Sequence, residues 1–252
     1  MSSTPGDEGL LARLPDEPRW AETRWLLASG EGRGHTDGGG AVVVARRLPL
    51  AAVVGRPSPA LLRELVDAGP ADLELIVQVE DVEHVRAALD GWSTTWARLH
   101  RWPDGRPLPP PPMDIEVVVS EPPAPRLLAM LGDDARRWAR PARAMALHLV
   151  DDRPVSLCIA LAVTETLWDV GVETDRAHRR RGHARACVAA LAHYLAAAGL
   201  QPMWGAAEDN DASLALAASL GFVPDERLAL LTRPVGWPGQ AAASSSASES
   251  SR

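Results

Sequence analysis

The sequence predicts an α/β protein of the α+β kind: a mixed, mostly antiparallel sheet flanked by helices. Three observations predict it. Residues 144–150, 155–163 and 167–174 are short β-type runs in succession, joined by turn residues, and read as an antiparallel meander. A long helix follows, with Ala184, Val188, Leu191, Leu195 and Ala198 three or four apart on one face. The order of strand, Gly-containing loop, helix, strand, helix, Gly-aromatic turn and strand then occurs twice along the chain.

Met1 to Gly9 is polar and reads as disordered. Glu17 to Ala28 reads as a helix, and the Gly-rich stretch Glu31 to Gly40 as a loop. Strands follow at 41–45 and 51–55. Ser58 then caps a helix to Ala68, with Pro59 at its first position. Residues 73–79 form a strand, 82–89 a short helix and 94–101 another strand, entered through Asp90-Gly91-Trp92. Pro103 to Pro112, ending in four consecutive prolines, reads as a stiff linker, with a docking peptide as the alternative. Met113 to Ser120 is expected to be a strand, and Pro125 to Arg140 a helix broken near Gly132. After the meander and long helix come a strand at 203–206, a helix at 211–220 and a last strand at 227–233. Gly239 to Arg252 is Ala/Ser-rich and expected to be disordered.

The 252 residues suffice for one large or two small domains, and the net charge of −7 argues against general nucleic-acid affinity. All 26 basic residues other than His are Arg, which we read as coding bias. No apolar run approaches the ~20 residues of a membrane span, and the N-terminus lacks a signal pattern. Cys158 and Cys187 fall on predicted core elements and read as buried free thiols. A cytoplasmic protein is expected. Its oligomeric state is not legible.

The chemistry concentrates in residues 169–198. A strand runs into the loop Arg179-Arg180-Arg181-Gly182-His183-Ala184, which opens the long helix. The first N–H groups of a helix lack intrahelical partners, and the dipole is positive there. Gly182 lets a ligand approach the backbone, and arginines suit phosphate. A pyrophosphate is the natural occupant. His183 and Cys187 share a helical face, but two ligands do not make a metal site.

Arg179-x-x-Gly182-x-Ala184 after a strand resembles the acyl-CoA pyrophosphate motif of the GNAT superfamily of N-acetyltransferases. Pro202-Met203-Trp204-Gly205-Ala206, Asn210-Asp211-Ala212-Ser213 and Leu220-Gly221-Phe222 resemble that family's next strand, Asn-bearing helix and turn. Within it, the likeness is to zwittermicin-resistance-type acetyltransferases. The resemblance implies a GNAT-like sheet in residues 113–235, after an N-terminal segment at 1–40, a degenerate GNAT-like half or unrelated α/β cap at 41–102 and the linker at 103–112, with a tail at 236–252. In the first half, Gly55-Arg56-Pro57-Ser58-Pro59 stands in place of the phosphate loop, and its two prolines lack N–H donors.

The resemblance implies acetyl-CoA as co-substrate, no metal, and a small-molecule amine as acceptor. Backbone of Val172, Glu173 and Thr174 would meet the pantetheine arm, and Arg179 to Ala184 the pyrophosphate. Asn210 and Ser213 would flank the other side. Asp169 or Glu173, on one side of the strand, would deprotonate the amine. The tyrosine that many members place four residues before the turn glycine is Ala217 here, which leaves Ser213 or water to serve the departing thiolate. Tyr194 is expected to pack, and Trp168 and Trp204 either to pack or to line an acceptor pocket. The alternatives are a non-catalytic acyl-CoA-binding sensor or scaffold, and acetylation of a protein amine.

Overall fold

The computed structural model describes residues 5–111 and 113–234. The first half comprises α1 (Pro5–Leu11), α2 (Ala21–Ala28), β1 (Gly32–Thr36), β2 (Gly40–Ala45), β3 (Leu50–Gly55), α3 (Pro59–Ala68), β4 (Glu74–Gln78), α4 (Val82–Ala88) and β5 (Ser93–Arg101). The second half comprises β6 (Val118–Ser120), α5 (Pro125–Leu128), α6 (Asp133–Ala139), β7 (Ala144–Val150), β8 (Arg153–Val163), β9 (Leu167–Thr174), α7 (His183–Ala196), β10 (Gln201–Ala207), α8 (Asp211–Leu220) and β11 (Val223–Thr232).

All eleven strands form one sheet, in the order β1-β2-β3-β4-β11-β5-β10-β9-β8-β7-β6. The order is palindromic about β11/β5, leaving β6 as an extra edge. Each half runs two helices, three antiparallel strands, a helix, a strand parallel to the third, a helix and a final strand. The final strands are exchanged: β11 pairs with β4, and β5 with β10. The halves are therefore interlocked by their own hydrogen-bond ladders.

Packing follows the two faces of the sheet. On one face a single apolar core joins the halves, with Trp25, Leu26 and Leu27 of α2 against Val43, Leu157, Ile159 and Met203. On the other face lie two separate cores. One sits under α3 and α4, around Leu62, Val66, Val85 and Leu89. The other sits under α7 and α8, around Trp168, Trp204, Val188, Leu191 and Phe222. Local chemistry sets the turns. Asp151 and Asp152 take φ of 49° and 59° in the β7–β8 hairpin, a conformation that Asp tolerates. Asn210 Oδ1 caps α8 by accepting from Ser213 N at 3.1 Å, and Gly221 closes that helix at φ 114°.

Several expectations are corrected. Residues 5–11 are helical: Leu10 is buried in the shared core, and buried Asp7 accepts from Gly34 N at 2.7 Å. The helix is made by tertiary contact, which local polarity does not reveal. Likewise, Gly32–Thr36 is a strand and not a loop. It pairs with apolar β2, and Gly32 is required because a Cβ would lie 2.7 Å from Leu26 Cβ. Of Met113–Ser120, only the last three residues are strand. The last strand begins at Val223 and is bulged between Pro224 and Arg227. The Pro-rich stretch is pinned to the second half through His193 Nε2 and Pro109 O at 3.2 Å and Arg106 Nη1 donating to Gly221 O at 2.9 Å. The tail reading at 239–252 lies outside the described residues.

Candidate functional site

The site begins where two parallel strands part. β9 and β10 pair only at Leu167↔Gln201, Trp168↔Pro202 and Asp169↔Met203. Beyond that point β9 stays on β8 and β10 stays on β5. The edge of β9 from Val170 to Thr174 thus has no strand partner among the described residues. No strand takes up the backbone donors and acceptors on that edge, although Thr174 O accepts from Arg179 Nε at 3.1 Å.

A cleft of about 560 Å³ opens beside this edge. It is lined by Val172, Glu173, Thr174, Arg179, Arg180, Gly182, His183, Ala184, Asn210 and Ser213. These predicted residues come together from β9, its following loop, α7 and α8. Arg181 is exposed outside the cleft, and Asp169 lies at the fork, one pleat below. The sequence reading missed His178 and Arg185, which also line it. Arg185 donates to Ser219 O at 2.9 Å and ties α7 to α8 across the cleft. Its position, one residue past the glycine motif in the first helical turn, was the available clue.

The floor of the cleft is the start of α7. Ala186 N donates to Gly182 O, the first bond of the helix, so N–H groups 183–185 have no intrahelical acceptor. Gly182 has no side chain to cap them, and no other side chain among the described residues does so. Gly182 has φ 85° and Arg180 φ 60°, so the loop holds two left-handed residues. Such backbone strain in a non-glycine residue is a mark of functional loops. His183 stacks on His148 with ring centroids 4.6 Å apart. Burial, then the nearby His148, His178 and Arg181, lowers its pKa, so the imidazole stays neutral and positive charge comes from the arginines. Among the described residues, no group of three or more His, Cys, Asp or Glu is placed to hold a metal.

The matching position in the first half is closed. Pro59 opens α3, and Ser58 Oγ accepts from Leu61 N at 3.2 Å. The carboxylate of Asp37, from the β1–β2 turn, accepts from Ser58 N at 2.6 Å. The Ser58 hydroxyl and N–H hold Asp37 below the usual carboxylate range. The chain's own anion occupies this helix start.

The far wall of the main cleft carries Ser213. Trp204 Nε1 donates to Ser213 Oγ at 3.0 Å, which leaves the hydroxyl proton free to donate. Ala217, at the expected tyrosine position, is buried. Tyr194 is exposed and bonded to Glu121, a correction to the packing expected of it. Trp168 and Trp204 are both fully buried in the α7–α8 core. Both thiols are buried and free, and burial pushes Cys187 up to about 11 and Cys158 well above its ordinary value.

A family model of GNAT acetyltransferases matches residues 146–231. That span runs from β7 to β11 and contains the whole cleft. Over it, the chain is similar to the GNAT acetyltransferases. Solved structures show the fold across nearly the full length. A GCN5-related N-acetyltransferase-like protein from Streptococcus suis is 18% identical, with TM-score 0.65, covering 89% of this chain and 96% of its own. A GCN5-related N-acetyltransferase from Kribbella flavida is 17% identical, with TM-score 0.61, covering 86% and 95%. A tandem GNAT protein from the clavulanic acid biosynthesis pathway is 16% identical, with TM-score 0.55, covering 90% and 93%. No curated protein matches the chain. The comparisons name the superfamily and not the zwittermicin-type subgroup.

One acidic group was missing from the sequence reading. Glu22, in the first turn of α2, feels the charge of Asp169. Burial raises Asp169 from 3.8 to about 6, against the N–H bonds from Gly205 and Val170 that lower it. Burial, then the charge of Asp169, raises Glu22 from 4.5 to about 8. Both acids hold protons more tightly folded than unfolded. Their contribution to stability is therefore full below about pH 4 and is lost as pH rises to about 8. Chemical unfolding from pH 5 to 8 is expected to show falling stability, with a shallower fall in Glu22→Gln. An identical slope in the two proteins would show that these acids are not coupled to folding.

Proposed function

We propose that this protein is an acetyl-CoA-dependent N-acetyltransferase acting on the amine of a small molecule, with one cofactor site per chain. The observation that carries the reading is the uncapped start of α7 opening into the same cleft as the unpartnered edge of β9. A pyrophosphate fits N–H groups 183–185 and the arginines at 179 and 180. An amide-bearing arm fits the backbone of Val172, Glu173 and Thr174. Asn210 and Ser213 flank it opposite. Acetyl-CoA supplies an activated thioester when bound.

The rest is done by the chain. Asp169 takes a proton from the attacking amine, and its pKa near neutrality suits that exchange. The amine nitrogen gains the acetyl carbon, and the carbon–sulfur bond breaks with its electron pair going to sulfur. Ser213 donates a hydrogen bond to that thiolate, which takes up a proton from solvent. Glu173 is exposed to water and serves the cleft wall. The rival reading, a non-catalytic acyl-CoA sensor, draws on Ala217; a raised carboxyl at the fork favours the enzyme. The palindromic sheet supports reading the first half as a second GNAT copy whose cofactor site Asp37, Pro57 and Pro59 have closed. Buried free thiols suit a reducing cytoplasm.

Calorimetry with acetyl-CoA is expected to show binding at one molecule per chain. Two per chain would contradict the closure of the first half. No binding to folded protein at millimolar ligand would sink the cofactor reading altogether.

A further inference from the structure

We propose that Glu22, from the first half of the chain, joins Asp169, from the second, to form the ammonium site of the acceptor, so that the substrates are cationic primary amines. This rests on the acetyltransferase reading above.

The two acids meet on the face of the sheet that α2 covers. In β9, Trp168 and Val170 point into the α7–α8 core, so Asp169 points the other way, toward α2. α2 packs on both β8 and β9. Asp169 Oδ1 and Glu22 Oε2 are enclosed, and neither has a hydrogen-bond partner. Among the described residues, neither acid has an ion-pair partner. The near arginine, Arg24, is held elsewhere, by Leu14 O, by Glu165 at 2.7 Å and by Asp16 at 3.8 Å.

Two orphaned carboxyl oxygens on facing elements destabilise the fold, because each lost its water on burial and gained no donor in return. Such a cost points to a group supplied from outside. Access exists. Gly205 donates its N–H to the Asp169 carboxylate and is exposed, although Trp204 and Ala206 on either side are buried. Solvent therefore reaches the face of the fork on which the pair lies. A primary ammonium matches in both respects. Its positive charge favours the ionised form of both acids, drawing off the proton that Glu22 holds at neutral pH, and its N–H donors meet both orphaned oxygens. Passing one proton to Asp169 then exposes the nitrogen lone pair beside the cofactor cleft, and the second proton leaves the nitrogen to water once the bond to the acetyl carbon has formed. The other ionisable groups around the pair do not compete. Cys158 is a buried neutral thiol behind it, Glu173 is exposed four residues along, and Asp16 and Glu165 are tied to Arg24.

The test is steady-state kinetics of Glu22→Gln with primary alkylamines, which are cationic at neutral pH, and with arylamines, which are not. For alkylamines, KM is expected to rise about 10-fold or more, the value of one charged hydrogen bond, with kcat within about 3-fold of wild type. Arylamine kinetics and acetyl-CoA affinity should not move. Glu22→Asp, which keeps the charge, should restore part of the alkylamine KM. The amide should leave the thermal midpoint equal or higher, because it removes a buried acid. Unchanged alkylamine KM, or equal losses for both amine classes, would overturn the proposal and assign the orphaned oxygens to a bound water. A wild-type protein that binds acetyl-CoA but acetylates no alkylamine overturns it too. A protein that binds no acetyl-CoA refutes the cofactor reading instead.

Discussion

Gly182→Asp is expected to abolish acetyl-CoA binding while the protein stays folded. The residue stands immediately before the three uncapped N–H groups of α7, where a pyrophosphate would rest. A carboxylate there sets negative charge against negative charge, and it competes for the same donors. The sequence alone suggests that the substitution leaves stability untouched, since Asp near a helix start is favourable by about 0.3–1 kcal/mol. The backbone corrects that estimate. Gly182 has φ 85°, where a side chain strains the chain by about 1–2 kcal/mol. A drop of a few degrees in thermal midpoint is the expected companion. Packing adds nothing further, because a Cβ would meet only Ile115 Cδ1, at 3.6 Å. Gly182→Ala separates the two effects: the same strain, but only partial loss of binding. Wild-type affinity in Gly182→Asp would remove the pyrophosphate from this loop and with it the site proposed here.

The cleft was legible because its parts are local. The loop at 179–184, the cap at Asn210 and the turn at Leu220-Gly221-Phe222 each carry their conformation in adjacent residues. The sheet order and the acceptor side were not, because they depend on contacts between distant segments. Nothing near Gly32 says that β1 pairs with β2, because a glycine-rich strand has no side-chain periodicity to read. Nothing near Glu22 says that it meets Asp169, since α2 reaches β9 only after the shared core has formed. The exchange of β5 and β11 is invisible for the same reason. Each strand shows that it has a buried face, and not which neighbour it pairs with. Asp37 illustrates the limit most sharply. It lies in a stretch that reads as loop, yet its carboxylate decides that the first half has no open helix start.

Asp169→Asn should lower kcat by about 10²–10⁴ and leave acetyl-CoA affinity nearly unchanged. The sequence left both Asp169 and Glu173 eligible, as two acids on one side of one strand, with Asp169 nearer the place the resemblance implies. Their surroundings divide them. Glu173 is exposed on the cleft wall, two pleats away from the fork. Asp169 is partly buried at the strand fork, with Oδ1 enclosed, and its raised pKa brings proton exchange into the working range. Glu173→Gln is therefore the control, with turnover close to wild type. The pH profile adds a second check. In the wild type, kcat/KM should rise as Asp169 ionises near pH 6, and that limb should vanish in Asp169→Asn. The cofactor affinity of the variant should hold because Asp169 lies outside the cleft lining, with its side chain on the opposite face of β9 from Val172. Full activity in Asp169→Asn would move the base elsewhere or leave the amine to lose its proton to water. It would also leave the Glu22–Asp169 pair without a chemical role.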